Sequence, residues 1–222
     1  AYEISWLNTR GKPIVATGQF HVPCESDFII ESKSLKLYLN SFSQTPFASL
    51  QQVEETIQKD LTNACQQAVL VNLFPPDQHP TITRPQQWQC LDDLDVEIES
   101  YLPDANLLQC NEKITSAKIY SNLLKSNCLV TNQPDWGSLF IDYKGPKINN
   151  HSLLKYIISF RCHSEFHEQC VERIFMDILN HCHPHTLTVF AKYTRRGGID
   201  INPFRTNDDN SLPAPHFRLT RQ

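Results

Sequence analysis

Cys128 and Asp135 lie seven residues apart in LLKSNCLVTNQPDWGS, residues 123–138. A cysteine attacks carbon as its thiolate. With a free pKa near ~8.5, only a few per cent is ionised at pH 7, so a working nucleophile needs a base or a cation beside it. A carboxyl group held away from water has a raised pKa and can accept or deliver a proton near neutrality. The Gln133-Pro134 dipeptide predicts a turn that brings Asp135 back toward the thiol. The pair therefore suits addition of sulfur to an electrophilic carbon, with a proton passed to the atom that gains charge. In isolation the same residues read as a core thiol at a strand end and a turn aspartate.

Those two groups need a scaffold, and the chain is long enough for one. Its 222 residues fit one large domain or two of about 110. A hydrophobic content of 40%, a charged content of 20% and a net charge of -4 describe a soluble globular protein, with no basic excess for nucleic acid or an anionic membrane. No apolar run reaches the roughly 18 residues of a membrane span and no signal pattern opens the chain, so a cytoplasmic location is expected. The eight cysteines are irregularly spaced, which in a chain with its own core argues for reduced thiols.

The sequence repeats itself. Ser34 to Phe42 (SLKLYLNSF) lines up with Ser152 to Phe160 (SLLKYIISF), 118 positions later. Gln52, Glu55, Ile57, Asp60, Asn63 and Cys65 then fall on Gln169, Glu172, Ile174, Asp177, Asn180 and Cys182, 117 positions later. Leu50, Val53, Ile57, Leu61 and Ala64 recur at helical spacing, as do Phe166, Cys170, Ile174 and Ile178, so each copy predicts a helix pair. Around the pairs lie β-rich runs: YEISWL, IVATGQFHV and AVLVNLF in the first half, ITSAKIY, GSLFIDY, TLTVFAKYT and IDINPF in the second, the last two joined at Gly197-Gly198. The expected architecture is α+β: two ββααββ units, each with helices on one face of an antiparallel sheet. Residues 1–110 form the first unit, including a Pro- and Asp-rich linker at 75–110, and residues 111–222 the second.

The copies differ where chemistry is expected. His167-Glu168 stands where the first copy has Leu50-Gln51, and no cysteine of the first copy matches Cys128. Conversely, FIIESKSLK at 28–36 places Glu31, Ser32 and Lys33 ahead of its helix, where the second copy has Asn149, Asn150 and His151. Two complementary half-sites are implied.

These motifs resemble a known family. ESKSLKL, SNCLVTNQPDWGS, FHEQCVERIF and YTRRGGIDINP, in that order, are similar to the NADPH-dependent 7-cyano-7-deazaguanine reductases, the QueF nitrile reductases of queuosine biosynthesis, in their long subclass. The resemblance runs to the terminal RLTRQ and implies a tunnelling fold, duplicated in tandem, a homodimer, and an N-terminal extension ahead of Ala1. It implies Cys128 as nucleophile and Asp135 as proton carrier in a four-electron reduction of a nitrile to an amine, through a covalent thioimide and at the expense of two NADPH. His167 and Glu168 are then substrate contacts. The Glu168 carboxylate would accept from a guanine-like edge and reject bases without those donors by up to about 10⁴. Ile30, Glu31 and Ser32 complete the base pocket. No Gly-x-Gly-x-x-Gly occurs, so NADPH is assigned by resemblance to Ser32, Lys33, Arg196 and Gly197, guanidinium and glycine beside a turn suiting phosphate.

Two other readings compete. His163, His167 and Cys170 at i, i+4 and i+7, with His181-Cys182-His183-Pro184-His185, could form a zinc site in a hydrolase of the GTP cyclohydrolase type. Against it, Cys170 lies on the apolar stripe and the HCHPH run ends a helix, where histidines complement the dipole; no metal is expected. The other is a non-catalytic purine-binding module.

Overall fold

The computed structural model describes residues 1–78, 87–208 and 217–222. The chain divides into two compact units, Ala1–Pro80 with Arg195–Ile199, and Thr81–Thr194 with Asp200–Gln222.

Both units contain the same helix pair. Helices α1 (Ser32–Ser41) and α3 (Asn150–Ser159) have 10 residues each, and α2 (Leu50–Cys65) and α4 (His167–Cys182) have 16. The first helices start on matched caps: the Glu31 side chain accepts the N–H of Lys33 and Ser34, and the Asn149 side chain accepts those of His151 and Ser152. The pairs are tied alike, by Tyr38 to Asp60 at 2.7 Å and Tyr156 to Asp177 at 2.6 Å. Gln66 and His183, both left-handed, end the second helices.

In the first unit β1 (Ile4–Leu7), β2 (Pro13–His21) and β3 (Leu70–Phe74) form an antiparallel sheet in that order. Its core joins Ile4, Trp6 and Val71 to Val53, Ile57 and Leu61 of α2. Cys65 rather than Ala64 completes the buried face of that helix. In the second unit β4 (Gln89–Cys90), β5 (Cys110–Asn127), β6 (Pro134–Ile148), β7 (Thr186–Tyr193) and β8 (Phe204–Thr206) form a five-stranded sheet in sequence order, antiparallel except for β4 beside β5. Leu139, Ile141 and Val189 meet Leu153, Ile174 and Ile178 of the helices at 1% exposure or less. Each such side chain contributes about 1.5–3 kcal/mol.

The mixed architecture with four helices and antiparallel sheets is as expected, but the strands differ in three respects. Among the described residues a single strand, β3, follows the helices of the first unit. Strands β5 and β6 run far beyond ITSAKIY and GSLFIDY, with 18 and 15 residues. Of IDINPF only Phe204 lies in a strand, after Pro203, which has no N–H for a ladder. The stretch expected as linker is built into the second unit: Leu91 and Leu108 are buried in its core, and Asp92 accepts from Ser121 at 2.7 Å and from the Asn122 side chain at 2.8 Å. No helix of the described residues is long and apolar enough to cross a membrane.

Candidate active site

The β5–β6 hairpin holds Cys128. Its strands pair as far as Asn127 opposite Pro134, and the loop between closes on the cysteine: Cys128 N–H donates to Gln133 O at 2.8 Å and Asn132 N–H to Cys128 O at 2.9 Å. Asn132 takes φ 53°, a left-handed conformation that asparagine tolerates well. Burial pushes the Cys128 thiol up, but the Thr131 hydroxyl and the N–H groups of Thr131 and Val130 donate to the sulfur and bring it below its ordinary value. The Asp135 charge acts the other way and raises it. Hydrogen bonding within the loop therefore favours the thiolate, while the Asp135 charge disfavours it.

Asp135 is the second residue of β6, opposite Ser126, rather than a turn residue. Strand alternation turns it inward, and its side chain is 1% exposed. Its Oδ1 lies 3.4 Å from Nε2 of His167, the first residue of α4. The other face of the imidazole meets Tyr193, with ring centroids 4.1 Å apart at 65°. That phenol is fully buried and pushed well above its ordinary value by burial, with the Cys170 thiol and Ser126 hydroxyl beside it. Gly137 makes room for it: a Cβ there would come within 3.2 Å of the Tyr193 ring. Glu168, half-buried, sits in the first turn of α4 next to His167. The second unit therefore gathers Cys128, Asp135, His167 and Glu168 at one end of its sheet.

The other expected residues belong to the first unit. Glu31 is the cap of α1: its carboxylate accepts Lys33 N–H at 2.9 Å, Ser34 N–H at 2.8 Å and the Ser34 hydroxyl at 3.0 Å. The Lys33 amide holds this carboxyl below its ordinary value, with Ser34 adding to the effect against a small burial penalty. Ile30 packs at the edge of the core, and Ser32 and Lys33 open the helix on the surface. Arg196 and Gly197 lie on a tight turn closed by Arg196 N–H to Ile199 O at 2.8 Å, with Gly197 at φ 60° and Gly198 at φ 83°. These left-handed positions suit glycine. Tyr2 N–H donates to Gly198 O at 2.8 Å, and the Arg195 guanidinium lies 4.9 Å from the Tyr2 ring. A Cβ on Gly197 would sit 2.4 Å from Nζ of Lys36, the second lysine of ESKSLK. Lysine and arginine side chains beside a bare backbone turn fit a phosphate-bearing cofactor. The Lys33 and Ser34 amides are already taken by Glu31, so side chains would carry most of that grip.

Known proteins decide the family. Residues 1–73 match a family model described as nitrile reductase, 7-cyano-7-deazaguanine-reductase N-term, and residues 134–211 match one described as QueF-like protein. Across its whole length the chain is 52% identical to the NADPH-dependent 7-cyano-7-deazaguanine reductase of Coxiella burnetii (strain RSA 493 / Nine Mile phase I), covering 80% of that protein. It is 51% identical to that of Legionella pneumophila (strain Corby), covering 78% of it. The chain belongs to the 7-cyano-7-deazaguanine reductases. A solved structure, the archaeosine synthase QueF-Like in the apo form, aligns with 45% of this chain and 96% of its own at a TM-score of 0.38 and 16% identity.

In this member of the reductase family the histidines of the zinc reading have other partners. His163 Nε2 lies 2.9 Å from Glu165, which also pairs with Arg173, and His167 faces Asp135. Cys170 is wholly buried, its thiol pushed up to about 12 by that burial. His181 Nδ1 lies 3.0 Å from Asp177 O at the end of α4. Among the described residues no three His, Cys, Asp or Glu side chains are grouped closely enough to hold a metal ion. The residues that sequence reasoning missed are Thr131, Gly137, Tyr193 and Lys36. Thr131 and Gly137 lie within the quoted stretch, where a hydroxyl three residues after the cysteine was the available signal; nothing local marks Tyr193, which strand pairing brings opposite Gly137.

Proposed function

We propose that the protein reduces the nitrile of 7-cyano-7-deazaguanine to the aminomethyl group through a covalent adduct on Cys128, as a step of queuosine biosynthesis. The observation that carries the reading is Cys128 on a closed hairpin loop, with the buried Asp135 carboxylate of the following strand 3.4 Å from the His167 imidazole. In the first step the thiol proton passes to the Asp135 carboxylate, the Cys128 sulfur forms a bond to the nitrile carbon, one π pair of the triple bond moves to nitrogen, and Asp135 delivers that proton to the nitrogen. His167, held between Asp135 and Tyr193, keeps that carboxyl oriented. Glu168 accepts from the ring N–H and amino group of the base, and the family resemblance assigns Ile30, Glu31 and Ser32 as further contacts to the base. When bound, NADPH supplies hydride, and the four-electron change from nitrile to amine sets two per turnover. Ser32, Lys33, Arg196 and Gly197 hold the cofactor. After the first reduction the C–S bond breaks and the pair returns to the Cys128 sulfur, where the loop donors receive it.

The fold we assign is the tandem duplicated tunnelling fold, supported by the equal helix lengths, matched caps and repeated Tyr–Asp bonds of the two units. A homodimer and a cytoplasmic location rest on the family resemblance, and eight free cysteines suit a reducing compartment.

The test is intact mass after incubation with the cyano base and no cofactor. A gain equal to the mass of the base is expected, absent in Cys128→Ala. No gain under conditions where the enzyme turns over would overturn the covalent mechanism.

A further inference from the structure

The hairpin that carries Cys128 and Asp135 is interrupted on its way to them. Strands β5 and β6 pair from Ile114 opposite Pro146 to Ser121 opposite Leu139, and resume with Leu124 opposite Gly137. Between these pairs Asn122 and Leu123 of β5 face Ser138 alone, which makes a β-bulge. A bulge leaves main-chain groups outside the ladder, bends the strand and re-aims what lies beyond it. Beyond this one lie the pairs that end at Asn127 opposite Pro134, with Asp135 among them and Cys128 next in the chain. Two charged side chains hold the bulge. Asp92 accepts from the Ser121 hydroxyl at 2.7 Å, from Asn122 N–H at 3.1 Å and from the Asn122 side chain at 2.8 Å, all on β5. Arg221, from the RLTRQ motif, reaches both strands with one nitrogen: its Nη2 donates to Asn122 O at 3.0 Å, Gly137 O at 3.0 Å and Ser138 Oγ at 2.9 Å. The next residue, Gln222, is buried and anchors the arginine, its Nε2 donating to Asn202 Oδ1 at 2.9 Å and its N–H to Leu219 O at 3.0 Å.

We propose that Arg221 is a positioning residue of the nitrile reduction: by closing the bulge it sets the direction of the hairpin tip, and with it the placing of Asp135 against His167. The link runs through Gly137. Its carbonyl is held by Arg221, it lies two residues after Asp135 on the same face of β6, and its partner on β7 is Tyr193, where the pairing of those strands ends. Tyr193 meets the His167 imidazole with ring centroids 4.1 Å apart, and Nε2 of that imidazole lies 3.4 Å from Asp135 Oδ1. The arginine suits the task because its guanidinium stays charged and presents several N–H groups in a fixed plane to acceptors that converge on it. Asp92 fixes the β5 side of the bulge, while Arg221 joins that side to β6. Without it, the Ser138 hydroxyl bond to Asn122 Oδ1 at 2.7 Å is the side-chain tie left across the bulge, and the tip is free to turn. A misplacement of about 1 Å at reacting groups costs up to about a hundredfold in rate. Arg221 itself touches none of Cys128, Asp135 or His167 and acts through the strands it joins.

This rests on Cys128, Asp135 and His167 being the reacting set, so the test includes a readout that needs no substrate. The His167 ring protons lie beside the Tyr193 ring, whose current displaces their NMR signals; loss of those signals in His167→Asn identifies them. In Arg221→Ala they are expected to move toward ordinary histidine positions while the signals of the other histidines stay in place. Intact mass followed over time should show adduct formation with the cyano base slowed about ten- to a hundredfold. Arg221→Lys keeps the cation on a shorter stem and should lie between alanine and wild type in both readouts; it carries the test alone if the alanine variant does not fold. A wild-type rate in the variant, a slowed rate with the His167 signals unmoved, or a shift of all histidine signals together would overturn the positioning role. Failure of the wild type to form the adduct, with the His167 signals still moving in the variant, would instead strike the covalent reading.

Discussion

The two units share a helix pair, a capping position, a Tyr–Asp bond and a nucleophile-type loop, yet only the second carries reactive groups at matching places. Strand register and repeat alignment put Trp6, Asn8, Ile14 and Leu50 where the second unit has Ser126, Cys128, Asp135 and His167. The backbone device is therefore independent of the chemistry: a closed hairpin loop starts with asparagine in one unit and with cysteine in the other. What converts it into a site is a buried carboxylate opposite a serine, and a histidine in place of an apolar residue at the start of a helix. The first unit, in turn, keeps a glutamate cap where the second has asparagine, with Lys33 and Lys36 on the helix that follows.

The hardest test of that comparison makes the second loop resemble the first. Cys128→Asn should keep the hairpin, because asparagine serves the same closure in the first unit, while NADPH oxidation in the presence of the cyano base falls at least about a thousandfold. A melting temperature close to wild type would show that the loop tolerates both occupants, and appreciable residual turnover would break the comparison. A milder exchange is Glu168→Gln, the residue that the first unit has at Gln51. Losing a charged acceptor for two donors should raise the KM for the base about ten- to a hundredfold with a smaller change in kcat, measured by steady-state kinetics. The smallest effect concerns stability. Tyr156 is fully buried while Tyr38 is half-buried, so Tyr156→Phe should cost about 1.5–3 kcal/mol and Tyr38→Phe about 1 kcal/mol or less in urea unfolding. Equal losses would mean that the two helix pairs are held by different forces despite their matching bonds.

Much of this was legible in the sequence for a physical reason. Helical periodicity and repeated spacing survive in a one-dimensional string, so both helix pairs and their duplication could be read from Leu50 to Cys65 and from Phe166 to Cys182. The lengths of β5 and β6 could not, because a long strand that continues past the helices has polar residues on its open end and loses the alternation that marks a buried sheet. Gln133-Pro134 predicts a turn that returns Asp135 toward the thiol; Gln133 does close the loop on Cys128, but Pro134 is already the first residue of β6, where its missing N–H is tolerated. The stretch at 75–110 read as linker from its prolines and acids, but Asp92 is a hydrogen-bond hub and Leu91 a core residue. A charge partner such as Asp135 is visible in a sequence, whereas the lowering of the thiol by hydrogen bonding from Thr131 and Val130 appears only when the backbone is known.

Gly137 and Tyr193 form a pair that neither partner can leave alone. A side chain at 137 would press on the ring at 3.2 Å, and the His167 imidazole meets that ring edge-on with centroids 4.1 Å apart. A smaller residue at 193 would open a void behind the same imidazole. A single substitution at either position thus disturbs the seat of the His167 imidazole.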